Sequence, residues 1–540
     1  MPDRTLVKSL IEVPAESDRL DTSGGELLRQ VALEAPERIA LIEHSVTGSP
    51  RAWTYAQLLQ SAETVAQALL QSFKPGDNVA TWAGGKAELV LLQLGAALAG
   101  VTLVTLNPAC RREELRFLLT QSESRGLFMD KAFRGMDNVP VIHSLRESLP
   151  ALSTVIPLDE WDSFIARGCP CVLPKVAPTA PALICFTSGT TGKPKGVVLT
   201  HAATVNNASS AQARFGVRRG SVWLNLLPMF HIGGTVTNTL GCLSNAGTQV
   251  LLPEFNAEAM LAAIERHKVQ IFMAVPTMMI RALQSERFAA TDVSSIEVIC
   301  TGGTTVPPEL VRQIRQKIGC SVQVMFGQTE AGGCMTLTFR DDDEDRICNT
   351  VGIVLGGSSM KVINTADSTV ADIGAVGEIC VRSPTVMAEY FRLPQVTAET
   401  KDADGWVHTG DLGRMRPDGY VQVTGRLKDM IIRGGENIYP REIEDQLMES
   451  PLVSQVSVFG VPDEKWGEQV AAAIVPAAGA GVDEQALAAF LQERIARHKV
   501  PKYWLQVNEL PTNTSGKVQK FILQDRFREL YAPAGARRTQ

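Results

Sequence analysis

The sequence predicts an α/β protein in which helices cover parallel sheets, closed at its C-terminal end by a smaller α+β unit. Three observations carry this prediction. Helical and strand-like apolar runs alternate between residues 55 and 318, as βα repetition requires. An uncharged stretch at 89–106 divides at Gly100 into a helix-like and a strand-like half. After about Tyr420 the elements become shorter and the βα alternation stops.

Taken in order, "YAQLLQSAETVAQALLQS" (55–72) has the period of a helix, and "NVATWA" (78–83) is strand-like. "LVLLQLGAALAGVTLVTL" (89–106) has the length of a membrane span, but Gly95 and Gly100 interrupt it. Gly100 falls where a helix would end, and "VTLVTL" switches to strand-type residues before Asn107-Pro108. The expectation is a buried helix followed by a buried strand, not a span. Residues 182–186 and 197–200 are short, partly β-branched apolar runs, hence buried strands on either side of a polar loop. "GTQVLLPE" (247–254) reads as a strand, "AEAMLAAIERHK" (257–268) as a helix, "VQIFMAVP" (269–276) as a strand and "PPELVRQIRQKI" (307–318) as a helix. The segment 420–450 then reads as strand, turn, strand, loop and helix, which places a domain boundary near residues 425–428. "PAAGAGV" (476–482) reads as a loop, and no internal repeat is evident.

Composition limits the partners. With 45% hydrophobic and 20% charged residues, the chain has the make-up of a soluble globular protein. Its formal net charge of -6, with both signs interspersed, gives no reason to expect a nucleic acid or an anionic membrane. The acidic run "DDDED" (341–345) reads as a solvated loop. Ten cysteines are scattered, and the near neighbours Cys169 and Cys171 lack the paired spacing of a zinc site. Reduced thiols in a cytoplasmic protein fit best. The first residues carry charges where a signal peptide needs an apolar core, and "GARRTQ" is not the S-K-L address. Nothing in the sequence ranks oligomeric states.

The loop "FTSGTTGKPKGVVLTH" (186–201) is the stretch that packing does not explain. Its residues 187–196 hold three glycines, four hydroxyl side chains, two lysines and a proline. Glycines let backbone approach a ligand, and successive N–H groups with added hydroxyl and ammonium donors favour an anion such as phosphate. It is not a Walker A loop, because only two residues separate Gly189 from Gly192 and Pro194 follows Lys193.

Four further dense stretches follow in fixed order: "MFGQTE" (325–330), "GWVHTGDLG" (405–413), "GRLKDMIIRGGENIYPREIE" (425–444) and "LPTNTSGKVQK" (510–520). With "TSGTTGKPKG" they resemble the adenylate-forming superfamily of acyl-CoA synthetases, firefly-type luciferases and peptide-synthetase adenylation domains, over essentially the whole chain. The resemblance implies two βα-sandwich subdomains plus a small β-barrel in residues 1–427, which bind ATP and acid, and a mobile α+β domain in 428–540. It also implies ATP, Mg²⁺, CoA and a carboxylic acid as ligands.

Residue by residue, it assigns Thr187, Ser188, Gly189, Thr190, Thr191, Gly192 and Lys195 to the β- and γ-phosphates and Glu330 to the metal. Thr329 falls to the α-phosphate, in a run with Gly327 and Gln328. Phe326 takes one face of adenine and Gly302, Gly303 and Thr304 the other, although many members have "GAA" or "GAP" where this chain has "GTT". Asp411 resembles the carboxylate that grips the ribose hydroxyls and Arg426 its partner; Lys517 resembles the catalytic lysine and Lys428 the hinge. Arg433, Gly434, Gly435 and Glu436, with Trp466 of "PDEKWGE", resemble the wall of the pantetheine tunnel. The acid pocket is expected at His231, Ile232, Gly233, Ala274, Ala331 and Gly332. His231 stands where amino-acid-activating domains carry an Asp, and the pocket segments contain no Lys or Arg for a second carboxylate. A fatty or aromatic monocarboxylate is therefore expected. Loading of a carrier protein and a luciferase-like oxygenation share these motifs and stay open as alternatives.

Overall fold

The computed structural model describes residues 5–14, 19–45, 50–187, 194–434, 436–477, 481, 483–512 and 518–531. The chain divides into two compact units. One comprises residues 1–361, 380–409 and 416–421; the other comprises 362–379, 410–415 and 422–540.

The first unit is built on two large sheets. In the seven-stranded sheet, Pro181–Thr187, Thr102–Leu106, Asn78–Trp82, Gly126–Met129 and Thr154–Pro157 run parallel, and Lys195–Thr200 and Glu389–Tyr390 add antiparallel strands at one edge. In the nine-stranded sheet, Ser321–Gln328, Val298–Gly302, Ile271–Ala274, Val222–Asn225, Thr248–Leu251 and Ile39–Glu43 are parallel neighbours.

Local chemistry sets the elements that carry these sheets. Thr54 and Gln57 form a reciprocal capping box that starts the helix Tyr55–Leu70. Its apolar face packs on the helix Ala87–Ala99, of which eleven of 13 residues are buried. That helix stops at Gly100, whose φ of 70° is the left-handed cap predicted, and the strand Thr102–Leu106 follows, fully buried. Burying one such Leu side chain is worth roughly 1.5–3 kcal/mol, so the uncharged run is accounted for by core formation. Among the described residues no helix is long and apolar enough to cross a membrane.

The second unit carries its own five-stranded sheet. Val453–Asp463 and Gly467–Pro476 form a long hairpin, joined by Ile431–Arg433, Glu436–Ile438 and the parallel strand Tyr503–Gln506. The helices Pro440–Met448, Glu484–Gln492 and Lys520–Tyr531 belong to the same unit. A separate five-stranded sheet takes its strands, in order, from Leu10–Ile11, Ser359–Ile363, Gly377–Arg382, Val407–Met415 and Val421–Arg426; along them the chain passes from one unit to the other.

Two local expectations need correction. The acidic run is not simply a solvated loop: Asp342 is buried and accepts bonds from the Tyr420 hydroxyl at 2.5 Å and the Phe339 N–H at 2.7 Å. Asp343 caps the helix Glu344–Asn349 by accepting from the Arg346 N–H. The stretch after Arg433 is not only a loop, because Glu436–Ile438 pairs back on Ile431–Arg433 as a hairpin. "PAAGAGV" lies partly outside the described residues.

Candidate active site

The loop 187–196 is anchored by two antiparallel strands, Pro181–Thr187 and Lys195–Thr200, in which Thr187 pairs with Lys195. Of the predicted loop residues, Ser188, Gly189, Thr190, Thr191 and Gly192 lie outside the described residues, as do Gly435 and Lys517. Thr187 and Lys195 are described, and both point to a neighbour that sequence reading missed. Thr187 Oγ1 donates to Glu330 Oε1 at 3.1 Å, and the Tyr390 hydroxyl donates to the same oxygen at 2.9 Å. Lys195 Nζ lies 4.3 Å from the centroid of the Tyr390 ring. Burial, followed by the neighbouring Glu330 carboxylate, holds the Tyr390 phenol well above its ordinary value, so it is a protonated donor at neutral pH. No periodic signal marks Tyr390, which sits in a two-residue strand.

Glu330 is placed by the end of the nine-stranded sheet. The strand Ser321–Gln328 runs into the one-turn 3₁₀-helix Thr329–Ala331, so Glu330 stands beyond the carboxyl end of a parallel strand. The neighbouring strands end beside it in register: Ala274 pairs with Thr301, and Gly302 with Met325. These strands bring the predicted adenine and pocket segments to one end of the sheet. Gly302 is required by close approach, since a Cβ there would lie 2.2 Å from the Met325 carbonyl oxygen. At Gly327 the contact is closer still, 1.7 Å from the Gly333 carbonyl, beside a register shift that follows Phe326. Gly303 and Thr304 are exposed just past the strand end, Phe326, Gly327 and Gln328 are partly covered, and Thr329 is buried.

The pocket segments also meet. A Cβ on Gly333, next to Gly332 and Ala331, would lie 3.5 Å from Ile232 Cγ1, so the 231–233 and 331–332 segments adjoin. Ile232 and Gly233 are buried, while His231 is exposed and its Nδ1 accepts from the Gly233 N–H at 3.3 Å. Here the chain forms a π-helix, Gly233–Leu240, a rare geometry that recurs at functional sites. Thr239 Oγ1 and Asn238 Nδ2 donate to the carbonyls of Gly234 and Gly233, five residues back, at 2.8 and 3.2 Å. Side-chain bonds thus support the wide turn.

In the second unit, Asp411 is 3% exposed and accepts from Arg426 Nε at 2.9 Å, so the predicted partners are paired. Lys428 is exposed in the one-turn helix Leu427–Asp429 that follows. The Arg433 guanidinium lies 4.6 Å from the Trp466 ring centroid, and the Gly434 N–H donates to the Trp466 carbonyl at 2.8 Å. His498 Nε2 lies 2.9 Å from Glu436 Oε2.

Known proteins share this architecture. A family model described as AMP-binding enzyme matches residues 28–391, and its C-terminal domain model matches 442–517. The chain is 33% identical over 538 residues to the human mitochondrial medium-chain acyl-CoA ligase ACSF2, covering 93% of this chain and 87% of that protein. It is 36% identical to an indoleacetate–CoA ligase of Aromatoleum aromaticum, covering 89% and 93%. ATP-bound MatB from Rhodopseudomonas palustris superposes with a TM-score of 0.85 at 28% identity, covering 94% of this chain and all of that one. The chain therefore belongs to the AMP-binding enzyme family of adenylate-forming enzymes, and is an acid–thiol ligase of its acyl-CoA synthetase kind.

Proposed function

We propose that the enzyme activates an apolar monocarboxylic acid, fatty or aromatic, in two half-reactions. An oxygen of the acid attacks the α-phosphorus of ATP, the bond to the bridging oxygen breaks, and acyl-adenylate and pyrophosphate form. The CoA thiolate then attacks the acyl carbon, the acyl–phosphate bond breaks, and acyl-CoA and AMP leave. Both steps need charge on phosphate oxygens to be met by fixed donors.

The observation that carries this reading is the convergence of Thr187 and Tyr390 on Glu330, beside the phosphate loop and at the end of a parallel sheet. Glu330 and Thr187 offer hard oxygens, which fit Mg²⁺; when bound, the ion supplies positive charge to the phosphates. Residues 187–196 hold the β- and γ-phosphates, and Thr329 donates to the α-phosphate. Asp411, held by Arg426, accepts from the ribose hydroxyls, a diol matched to a carboxylate with two oxygens. Lys517 orients the attacking carboxylate. Arg433, Gly434, Gly435, Glu436 and Trp466 line the path of the thiol arm, and Lys428 is the hinge between residues 1–427 and 428–540.

The pocket segments around Ile232, Ala274 and Ala331 contain no Lys or Arg, which supports an acid with an apolar body. The medium-chain and indoleacetate specificities named for two relatives support the same class and favour CoA over a carrier protein. Ten cysteines, none of them in a disulfide, support a reducing, cytoplasmic setting, which cell fractionation tests. The deciding experiment is pyrophosphate release over a panel of carboxylic acids, with and without CoA. A medium-chain or aromatic monocarboxylate is expected to exceed malonate and every free amino acid; a dicarboxylate as best substrate would overturn the reading.

A further inference from the structure

Tyr390 belongs to a short segment that ties the two halves of the phosphate site together through backbone. Its strand Glu389–Tyr390 pairs antiparallel with Lys195–Thr200, setting Tyr390 against Val197. The Phe391 N–H donates to the Gly196 carbonyl at 2.7 Å, which fixes the segment to the exit of the loop. Three residues earlier than Tyr390, the Met387 N–H donates to the Glu330 carbonyl at 2.8 Å. One stretch of five residues thus holds both the loop strand and the main chain of Glu330.

The side chain repeats this bridge. Tyr390 is 2% exposed, its ring lies under Lys195 Nζ, and its hydroxyl donates to Glu330 Oε1. A carboxylate whose Oε1 already accepts from Tyr390 and Thr187 has one rotamer selected before any cation arrives. Among the described residues its second oxygen accepts no hydrogen bond and is left to coordinate.

We propose that Tyr390 is a positioning residue that pre-sets the Glu330 carboxylate for divalent-cation binding. The inference rests on the reading of Glu330 as metal ligand. Outer partners of ligating carboxylates typically contribute about 10–100-fold in metal affinity.

The test is Mn²⁺ binding to the full chain in the presence of a non-hydrolysable ATP analogue, followed by electron paramagnetic resonance, for the wild type, Tyr390→Phe and Glu330→Gln. Tyr390→Phe keeps the ring under Lys195 and removes only the hydroxyl. It is expected to weaken Mn²⁺ binding about 10–100-fold with an unchanged melting temperature, and its rate should recover at high Mg²⁺. Wild-type Mn²⁺ affinity in Tyr390→Phe, with a loss in Glu330→Gln, would overturn the positioning role alone. Wild-type affinity in Glu330→Gln as well would overturn the metal reading beneath it.

Discussion

Thr187 and Glu330, 143 residues apart in sequence, are joined by a 3.1 Å hydrogen bond that ties the strand entering the glycine-rich loop to the 3₁₀-turn ending a second sheet. The proposed metal carboxylate is therefore held by the phosphate loop itself. Glu330→Ala is expected to lower the rate of acid-dependent pyrophosphate exchange by orders of magnitude at saturating ATP, because metal charge neutralisation is worth several kcal/mol in the transition state. Its melting temperature should change little, since Glu330 is only half-buried. Near-normal exchange by a folded Glu330→Ala would remove the residue from the metal site.

The Asp411–Arg426 pair gives a prediction with a chemical signature. If Asp411 accepts from the ribose diol, Asp411→Asn loses charge-assisted bonds worth about 1.5–3 kcal/mol, or roughly ten- to hundredfold in ATP affinity. The wild type is expected to discriminate against 2′-deoxy-ATP, and Asp411→Asn to lose most of that discrimination. Isothermal titration with both nucleotides reads this; equal discrimination in the two proteins would assign Asp411 to structure alone.

Acid should destabilise the fold through a histidine outside the proposed chemistry. His201, first residue of the helix His201–Phe215, is 1% exposed, and burial lowers its pKa to about 4. The unfolded chain has a value of about 6.5 and so takes up the proton first. Stability present above about pH 6.5 is therefore lost as the pH falls from 6.5 towards 4, by about 3 kcal/mol for this group at about 1.4 kcal/mol per unit. His44 and His267, whose values burial also lowers, act in the same direction. In urea unfolding at pH 7 and pH 4.5, His201→Gln should show a smaller difference between the two pH values than the wild type. An equal difference would assign the acid sensitivity elsewhere.

What could be read from the sequence was what local chemistry dictates. Gly100 marked a left-handed cap, and the apolar runs around 187–196 marked the two strands of a hairpin. Motif order pointed to Glu330, Asp411 and Arg426, which do stand at strand ends or as a pair. Tyr390 was invisible because its role depends on backbone pairing with Val197 and on Glu330, 60 residues earlier, and neither leaves a periodic trace. Asp342 was misread for a similar reason: its partner Tyr420 is 78 residues away, and only tertiary contact distinguishes a buried acid from a solvated one. The π-helix Gly233–Leu240 was missed because its departure from α geometry is set by side-chain bonds to carbonyls five residues back.

The two lysines separate the half-reactions. If Lys517 orients the attacking carboxylate, Lys517→Ala should lose adenylate formation and still convert an acyl-adenylate supplied from outside to acyl-CoA. Lys428→Pro should do the reverse. Lys428 is the second residue of the short helix Leu427–Asp429, and the first turn of a helix tolerates proline's fixed φ and missing N–H. A backbone angle locked there opposes the dihedral change that a hinge must make. Adenylate should form and stall. Hydroxylamine trapping measures the adenylate, and thioester formation from supplied adenylate measures the second step. Equal losses of both steps in both variants would show that Lys428 is not a hinge between the half-reactions and that residues 428–540 do not alternate between them. A loss confined to adenylation in Lys517→Ala and to thioester formation in Lys428→Pro would place the two functions on opposite sides of one rotation.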